Sequence, residues 1–269
     1  MDKGQEQIMC DNTDIMESVK EIAEEAGQIA LSQFGASRPH VKTDRSFVTA
    51  TDREVEQFIH RKLHELFPDD AIIGEEFGRS RGTIREYVWL LDPIDGTTNF
   101  VAGLPHWAVC VARLRFGVPV LGVVVLPVLR ETYAAATGMG ATLNGSPFKM
   151  LERDDPPNEQ LIAVWSTWYR EVDLKFSGKV RTLGSTVVKC LYAAKGSFVG
   201  ALTPEVHAWD IAAGLPVLWE SGGQAYARDG KVYEVMDLDP ANGYLVPPLI
   251  LSAPSRRDFM RQMITARRT

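Results

Sequence analysis

Cysteine is scarce in this sequence, and the few cysteines stand far apart. The 269 residues contain three of them, Cys10, Cys110 and Cys190. No pair has the close spacing of a zinc site or a CxxC redox motif, and an odd number is a poor basis for a disulfide framework. The sequence therefore predicts a reduced, cytoplasmic setting.

A basic excess and a long apolar segment are missing as well. There are 29 Lys and Arg against 35 Asp and Glu, a net charge of −6, whereas general nucleic-acid binders usually carry a basic excess. The most apolar run, residues 118–129, contains Pro119 and Pro127 and is too short to cross a bilayer. The polar stretch 1–6 lacks the apolar core of a secretory signal. We therefore expect neither nucleic acid nor a membrane as a partner.

Apolar periodicity predicts two helices, then strands, then an alternation of both. Residues 13–34 and the segment after a Thr51-to-Glu54 capping box have helical spacing. Strand-like runs follow at 71–73, 87–91, 108–114, 120–126 and 131–136, and Asn144-Gly145 marks a tight turn. Beyond a polar, proline-rich linker at 152–160, strand and helix patterns alternate up to a C-terminal helix capped by Ser255. This order is typical of layered α/β folds.

Acidic residues follow several of these apolar runs. The string Asp92-Pro93-Ile94-Asp95-Gly96-Thr97 ends one strand, Glu75 follows another, and Asp52 and Asp210 lie at predicted helix starts. Strand ends converge on the ligand crevice of such folds, and carboxylates gathered there suit Mg²⁺. The Gly-Thr turn after Asp95 offers N–H groups and hydroxyls to a phosphate. Taken singly, Asp52 and Asp210 are more often helix caps and Glu75 a solvated turn. Together they indicate metal-assisted phosphoryl chemistry.

Several segments resemble the signatures of the inositol monophosphatase family, in matching order: 48–52, 74–76, 89–100, and 209–214 with Gly222-Gly223. The resemblance extends over about residues 15–264. It implies an α/β fold of layered α+β type, an alternating αβαβα five-layer sandwich as in sugar phosphatases. It also implies a lithium-sensitive phosphatase that uses two or three Mg²⁺ ions, forms a homodimer and shares a superfamily with fructose-1,6-bisphosphatase.

The metal ligands that the resemblance implies are carboxylates and one carbonyl. Glu75, Asp92 and the Ile94 carbonyl would hold a first Mg²⁺, and Asp92, Asp95 and Asp210 a second, with Glu75 also contacting a third, weaker ion. The linker predicts a division into an N-terminal α+β part, 1–155, and a C-terminal α/β part, 156–269. Only Asp210 of these ligands lies in the second part, so the active site is expected at their interface.

The implied catalytic residues are Glu75, Thr97 and Asp52. Thr97, oriented by Asp52, would help Glu75 activate the attacking water. The backbone N–H groups of Gly96 and Thr97 would bind the phosphate. Further phosphate or substrate contacts would come from the side chains of Asp95, Ser185 and Asp210.

Two positions depart from the pattern of inositol-specific members. Thr203 stands where those members usually have a glutamate that binds sugar hydroxyls. Pro216 falls inside the predicted helix after Asp210, where a proline removes a hydrogen bond, so we predict a kink or an early end.

The sequence thus predicts a Mg²⁺-dependent phosphomonoesterase, similar to inositol-1-monophosphatase, that hydrolyses a small polyol or sugar phosphate. Alternatives at the same site are fructose-1,6-bisphosphate, histidinol phosphate or a nucleotide phosphate (NADP or phosphoadenosine phosphate). An alternative of another class is a non-catalytic regulator that binds RNA or protein.

Overall fold

Two β-sheets form the framework of the computed structural model, which describes residues 3–36, 39–41, 47–79 and 86–266. The helices are α1 (Lys3–Ser32), α2 (Ala50–Leu66), α3 (Thr97–Ala102), α4 (Thr186–Ala194), α5 (Trp209–Ala212), α6 (Gly214–Ser221) and α7 (Arg257–Gln262), with 3₁₀ turns at Trp168–Arg170, Pro240–Asn242 and Pro254–Arg256. The strands are β1 (His40–Val41), β2 (Phe47–Val48), β3 (Ala71–Gly74), β4 (Gly78–Arg79), β5 (Tyr87–Asp95), β6 (Ala108–Arg115), β7 (Val118–Leu126), β8 (Glu131–Ala136), β9 (Gly140–Leu143), β10 (Ser146–Phe148), β11 (Leu161–Val164), β12 (Val172–Leu174), β13 (Lys179–Thr182), β14 (Gly200–Leu202), β15 (Val206–His207), β16 (Gln224–Ala227), β17 (Leu245–Val246), β18 (Leu249–Ser252) and β19 (Ile264–Ala266).

Helices and sheets alternate in five layers, which confirms the predicted mixed α/β class. α1 and α2 cover one face of an 8-stranded sheet, α4 to α6 lie between its other face and a 5-stranded sheet, and α7 covers the far side of the smaller sheet. Neighbouring side chains of the central strands enter different cores. Trp89 and Val123 join the core under α1 and α2, whereas Leu90 and Val124 join the core shared with α4 to α6. Strands buried on both faces read as nearly continuous apolar runs.

The larger sheet brings two strand ends that carry acids side by side. Its order is β10-β9-β8-β7-β6-β5-β3-β4, and β3 runs parallel to β5, whereas the other neighbours are antiparallel. In this register Gly74 pairs with Leu91. Glu75 therefore leaves β3 beside the segment of β5 that leads into Asp92. The predicted tight turn at Asn144-Gly145 joins β9 to β10, with both residues at positive φ.

The smaller sheet follows the proline-rich segment. Its order is β13-β11-β14-β18-β16, with β11 parallel to both of its neighbours and the other pairs antiparallel. α4 connects β13 to β14 across the central core. Its N-terminus thereby faces the edge of the larger sheet at which β5 ends.

The start of α2 corrects the predicted capping box. The helix begins at Ala50, with Thr49 as N-cap and Asp52 as its reciprocal partner, whereas the sequence predicted Thr51 with Glu54. Thr49 Oγ1 accepts the N–H groups of Thr51 and Asp52, and Asp52 Oδ2 accepts the Thr49 N–H at 2.8 Å. Both threonines fit the capping pattern, and the earlier start buries Thr51 and Asp52 in the first turn.

Three other predicted boundaries were wrong. α1 begins at Lys3 instead of near residue 13 and runs for 30 residues. β5 does not stop at Leu91 but continues to Asp95. Ser255 lies in a 3₁₀ turn, where its hydroxyl donates to Glu152, and α7 begins after it. No helix in the described part of the chain is both long and apolar enough to span a membrane.

The helical segment that follows Asp210 is interrupted at Ala213, whereas we predicted a kink or an end at Pro216 itself. α5 ends at Ala212 and α6 runs from Gly214 through Pro216 to Ser221. Pro216 has no N–H to donate to the carbonyl four residues earlier, that of Ala212, and this missing hydrogen bond accounts for the interruption. Ala213 keeps right-handed helical angles (φ −72°, ψ −26°).

Candidate active site

The last residues of β5 form a bulge that turns two carboxylates to the same side of the sheet edge. Pairing with β6 is regular up to Asp92, shifts across Pro93 and Ile94, and resumes at Asp95. Pro93 has no N–H to offer to a partner strand, and a bulge accommodates it. Asp92 Oδ1 accepts the Ile94 N–H at 3.0 Å. The proline between the acids thus sets the shape of the site.

Asp95 is fixed by the first turn of α4. Its carboxylate accepts the Ser185 hydroxyl, the Val187 N–H at 2.8 Å and the Thr186 N–H at 3.2 Å. Ser185 is also the N-cap of α4, because its Oγ accepts the Val188 N–H at 3.1 Å. Burial raises the pKa of Asp95, and these hydrogen bonds oppose that rise. The predicted substrate residue Ser185 therefore contacts a predicted metal ligand.

Gly96 and Thr97 turn the chain from β5 into α3. Gly96 has φ 93°, and a Cβ there would lie 3.0 Å from the His106 carbonyl oxygen, so the turn requires glycine. Thr97 Oγ1 lies 3.1 Å from the Ile94 carbonyl oxygen and 3.3 Å from Asp52 Oδ1. The contact that the sequence predicted between Thr97 and Asp52 is present.

Asn99 is a structural link that the sequence analysis did not identify. Its Nδ2 donates to the His106 carbonyl at 2.6 Å and to the Leu183 carbonyl at 2.7 Å. A Cβ on Gly184 would lie 2.7 Å from this amide. Asn99 therefore connects α3 to the loop that presents Ser185.

Asp210 and Glu75 approach the bulge from other elements. Asp210 lies in the first turn of α5, where its Oδ2 accepts the His207 N–H at 3.0 Å. The Glu75 N–H donates to the Leu91 carbonyl at 3.3 Å. Burial raises the pKa of Asp92 well above its usual range, and the charges of Glu75, Asp95, Asp210 and Asp52 raise it further, in that order. Every acid that the sequence singled out thus acts on Asp92.

The positive charge of Lys189 lowers the pKa of Asp95 and of Asp210. The sequence analysis did not identify this residue. It is 3% exposed on α4. Burial lowers its pKa to about 8, against the opposing charges of Asp95 and Asp210. Its signal in the sequence is a single charge within the apolar stripe of a predicted helix.

Glu56 was missed as well. It is 2% exposed on α2, and its carboxylate accepts the N–H groups of Glu76 at 2.8 Å and Phe77 at 3.0 Å. Burial raises its pKa to about 7, with Glu76 and Glu75 adding to the rise. Its signal is an acid one helical turn after Asp52, next to the buried stripe.

The donor set of the site fits a hard divalent cation. Oxygen atoms supply it, and neighbouring acids raise the pKa of Asp92 and Asp210 beyond the effect of burial, a repulsion that a bound cation would relieve. Within the described ranges, however, no three His, Cys, Asp or Glu side chains are gathered tightly enough to form a ready-made metal group. Mg²⁺ does not require one, because it is usually held by one or two carboxylates together with waters and substrate phosphate.

Thr203 lies in a backbone pairing. Its side chain is 1% exposed, its N–H donates to the Leu249 carbonyl, and its Oγ1 accepts the Leu249 N–H, each at 3.0 Å. The neighbouring acid Glu205 is exposed. Thr203 therefore has a structural partner in Leu249.

Known proteins similar to this chain share its fold over most of its length. A family model described as the inositol monophosphatase family matches residues 11–262. The chain is 31% identical over 241 residues to a fructose-1,6-bisphosphatase/inositol-1-monophosphatase of Aquifex aeolicus, covering 84% of this chain and 90% of that protein. It is 36% identical over 224 residues to a histidinol-phosphatase of Mycobacterium tuberculosis, covering 78% and 85%. Among solved structures, an IMPase of Thermotoga maritima matches with a TM-score of 0.80 at 28% identity, over 93% of this chain and 96% of that one.

Proposed function

Because the chain belongs to the inositol monophosphatase family, a family of phosphatases, we propose that it is a Mg²⁺-dependent phosphomonoesterase acting on a small polyol or sugar phosphate. The observation that carries this proposal is the electrostatic environment of Asp92. Carboxylates from β5, α2, α5 and the end of β3 all raise its pKa. Acids that repel one another in a buried crevice are retained where a cation joins them.

Glu75, Asp92, Asp95, Asp210 and the Ile94 carbonyl are the proposed metal ligands. When bound, divalent cations lower the pKa of a coordinated water to give a nucleophile and stabilise the leaving alkoxide. Asp95 is already oriented for this role by its contacts with Ser185 and the first turn of α4.

Thr97 and Asp52 are proposed to orient the attacking water together with Glu75. The Thr97 hydroxyl has one proton and lies within hydrogen-bond distance of both Asp52 and the Ile94 carbonyl. The hydroxyl can donate to only one of these two acceptors at a time. Donation to an ionised Asp52 fixes its orientation and leaves the Oγ1 lone pairs to accept a hydrogen bond from the attacking water. The backbone N–H groups of Gly96 and Thr97 are proposed to bind the phosphate.

The proposed division near residue 155 assigns these groups to two parts of the chain. Asp52, Glu75, Asp92, Asp95 and Thr97 belong to the first part, 1–155, and Asp210 belongs to the second, 156–269. Contacts across the division support an active site at the interface: Asp95 is bonded to Ser185, and Asn99 is bonded to Leu183.

The proposed substrate class is broader than inositol phosphate. Thr203 stands where the family resemblance implies a carboxylate for sugar hydroxyls, and its own hydroxyl accepts the Leu249 N–H. Ser185 and Asp210 remain as proposed polar contacts for the substrate. The similar proteins act, by name, on fructose bisphosphate, inositol phosphate and histidinol phosphate, so these compounds belong in any panel of candidates.

A phosphate-release panel tests the proposal. The purified chain is incubated with inositol, fructose, histidinol and nucleotide phosphates, with and without Mg²⁺ and with lithium. We expect Mg²⁺-dependent release from a polyol or sugar monoester that lithium inhibits. Asp95→Asn should abolish it, whereas Asp69→Asn, which changes an exposed acid, should not. Absence of release from every ester, or an active Asp95→Asn variant, would refute the proposal.

We also propose a cytoplasmic homodimer, as expected from the family resemblance. Light scattering coupled to size-exclusion chromatography measures its mass directly. A mass of about 30 kDa, that of one 29.9 kDa chain, would contradict the dimer. The proposed phosphatase activity does not depend on this result.

A further inference from the structure

Glu56 is a buried acid that none of the catalytic steps above uses. It stands four residues after Asp52, so both carboxylates extend from the same side of α2. Asp52 reaches Thr97, and Glu56 reaches the turn that follows β3. α2 thus contacts two neighbouring segments of the site with one face.

Stability alone does not account for a carboxylate in this position. Glu56 forms no ion pair with a cation in the described part of the chain, and the charges that act on it are those of Glu76 and Glu75. Burial of a carboxylate costs free energy unless hydrogen bonds compensate it. The value of Glu56 therefore lies in the groups that it holds.

Those groups fix the backbone on the C-terminal side of Glu75. Glu56 Oε2 accepts the Glu76 N–H, and Oε1 accepts the Phe77 N–H. On the other side, the Glu75 N–H donates to the Leu91 carbonyl. Glu75 is consequently held between the larger sheet and α2.

Gly74 shows how closely the carboxylate fits this turn. A Cβ on Gly74 would lie 1.9 Å from Glu56 Oε1, far inside van der Waals contact. The space above Gly74 is therefore filled by the Glu56 carboxylate, and only glycine at position 74 admits it.

We propose that Glu56 is a positioning residue, which locks the turn 74–77 through two backbone N–H groups and thereby sets Glu75 for metal binding. This inference rests on the proposed function, in which Glu75 is a metal ligand. It predicts that loss of the Glu56 carboxylate weakens Mg²⁺ binding without unfolding the chain.

Glu56→Gln tests the inference with the smallest change in shape. Glutamine offers one acceptor oxygen, so its amide NH₂ must face the second backbone N–H, donor against donor. We expect the Mg²⁺ concentration for half-maximal activity and the calorimetric Kd for Mg²⁺ to rise about 10- to 100-fold, while the chain stays folded at the assay temperature. Glu54→Gln, an exposed acid two residues away on the same helix, is the matched control and should behave as wild type.

Gly74→Ala reaches the same contact from the opposite side. The new methyl group would displace the carboxylate while leaving Glu56 in place, so the same weakening of Mg²⁺ binding is expected. In both variants the amides of Glu76 and Phe77 should exchange their hydrogens faster than in wild type.

The outcomes separate this inference from the proposed function. Wild-type Mg²⁺ affinity in Glu56→Gln, or a loss of activity that only follows the unfolded fraction, would overturn the positioning role. If the wild-type chain released no phosphate, the proposed function would fail, and calorimetry with Mg²⁺ alone would still decide whether Glu56 sets the site.

Discussion

Acids lie at both ends of the paired strands β5 and β6, and the two ends differ in how the charge is balanced. Asp70, partly buried just before β3, lies near the start of β5, whereas Asp92 and Asp95 lie at its end. Near the start of β5, Asp70 Oδ2 accepts the Trp89 Nε1–H at 2.9 Å and the Arg113 guanidinium at 2.8 Å. Arg113 in turn lies 3.9 Å from the centroid of the Tyr87 ring. At the far end, Asp92 faces Glu75, Asp95 and Asp210, and the charge of Lys189 acts on Asp95 and Asp210.

The difference separates acids that stabilise the fold from acids kept for binding. A buried acid with a guanidinium and an indole as donors has its charge and its lone pairs satisfied. Acids that face other acids reduce the stability of the folded chain. Removing an acid should therefore have opposite effects on stability at the two ends, and only one end should affect turnover.

Arg113→Leu is the largest expected disturbance. It leaves Asp70, whose side chain is 13% exposed, with the Trp89 indole as its remaining side-chain donor in the described part of the chain. Because this pair is partly buried, we expect a cost at the lower end of the range for buried pairs, about 3 kcal/mol. We expect the Tm to fall by roughly 6–12 °C, measured by calorimetry, with kcat at low temperature unchanged. Adding Asp70→Asn should recover part of the loss. A drop in kcat for the folded variant would contradict the separation of the two ends.

Asp92→Asn should give the opposite result. Asparagine keeps an oxygen for the Ile94 N–H and removes a charge that its neighbours repel. We expect kcat/KM to fall by roughly 10²- to 10³-fold, the effect of losing a single group that stabilises charge in the transition state, while the Tm stays equal or rises. A variant with a lower Tm and normal turnover would show that Asp92 is structural, like Asp70.

The acid-bearing string could be predicted from the sequence because its geometry is local. Asp92, Pro93 and Asp95 lie within one strand end, where the pairing with β6 shifts. The interruption between α5 and α6, three residues before Pro216, has an equally local cause, the N–H that Pro216 lacks. The capping box was misplaced by two residues because Thr49 and Thr51 both satisfy the local pattern.

Glu56 and Lys189 could not be assigned from the sequence, because their roles depend on distant segments. Glu56 has a partner only after β3 and α2 approach closely enough that Gly74 admits its carboxylate. Lys189 acts on Asp95 only after α4 meets the end of β5. Tertiary packing determines which of these segments come together, and the apolar periodicity of the sequence does not reveal which distant segments contact each other. A charge inside an apolar stripe was the available signal.

Added Mg²⁺ should stabilise the chain through one end of the strand pair alone. At a concentration of about 100 times Kd, a ligand that binds only the folded state stabilises it by about 2.7 kcal/mol. We expect the rise in Tm that corresponds to this stabilisation for wild type and for Arg113→Leu, and a much smaller rise for Asp92→Asn. An equal rise in all three would mean that Mg²⁺ binds elsewhere.

Ser185→Ala should have the smallest effect of these variants. It should change both the stability of the fold and Mg²⁺ binding, because Ser185 contributes to both. Its Oγ caps α4 through the Val188 N–H, and its hydroxyl donates to Asp95. Loss of the cap should cost about 1 kcal/mol of stability, whereas loss of the hydrogen bond should raise the pKa of Asp95 further and weaken Mg²⁺ binding.

Ser185→Asp would keep an acceptor for the cap but place a second acid against Asp95. Its stability in the presence of Mg²⁺, compared with that of Ser185→Ala, shows whether the cap or the donor matters more. If both variants bound Mg²⁺ as wild type does, Ser185 would act on the fold alone.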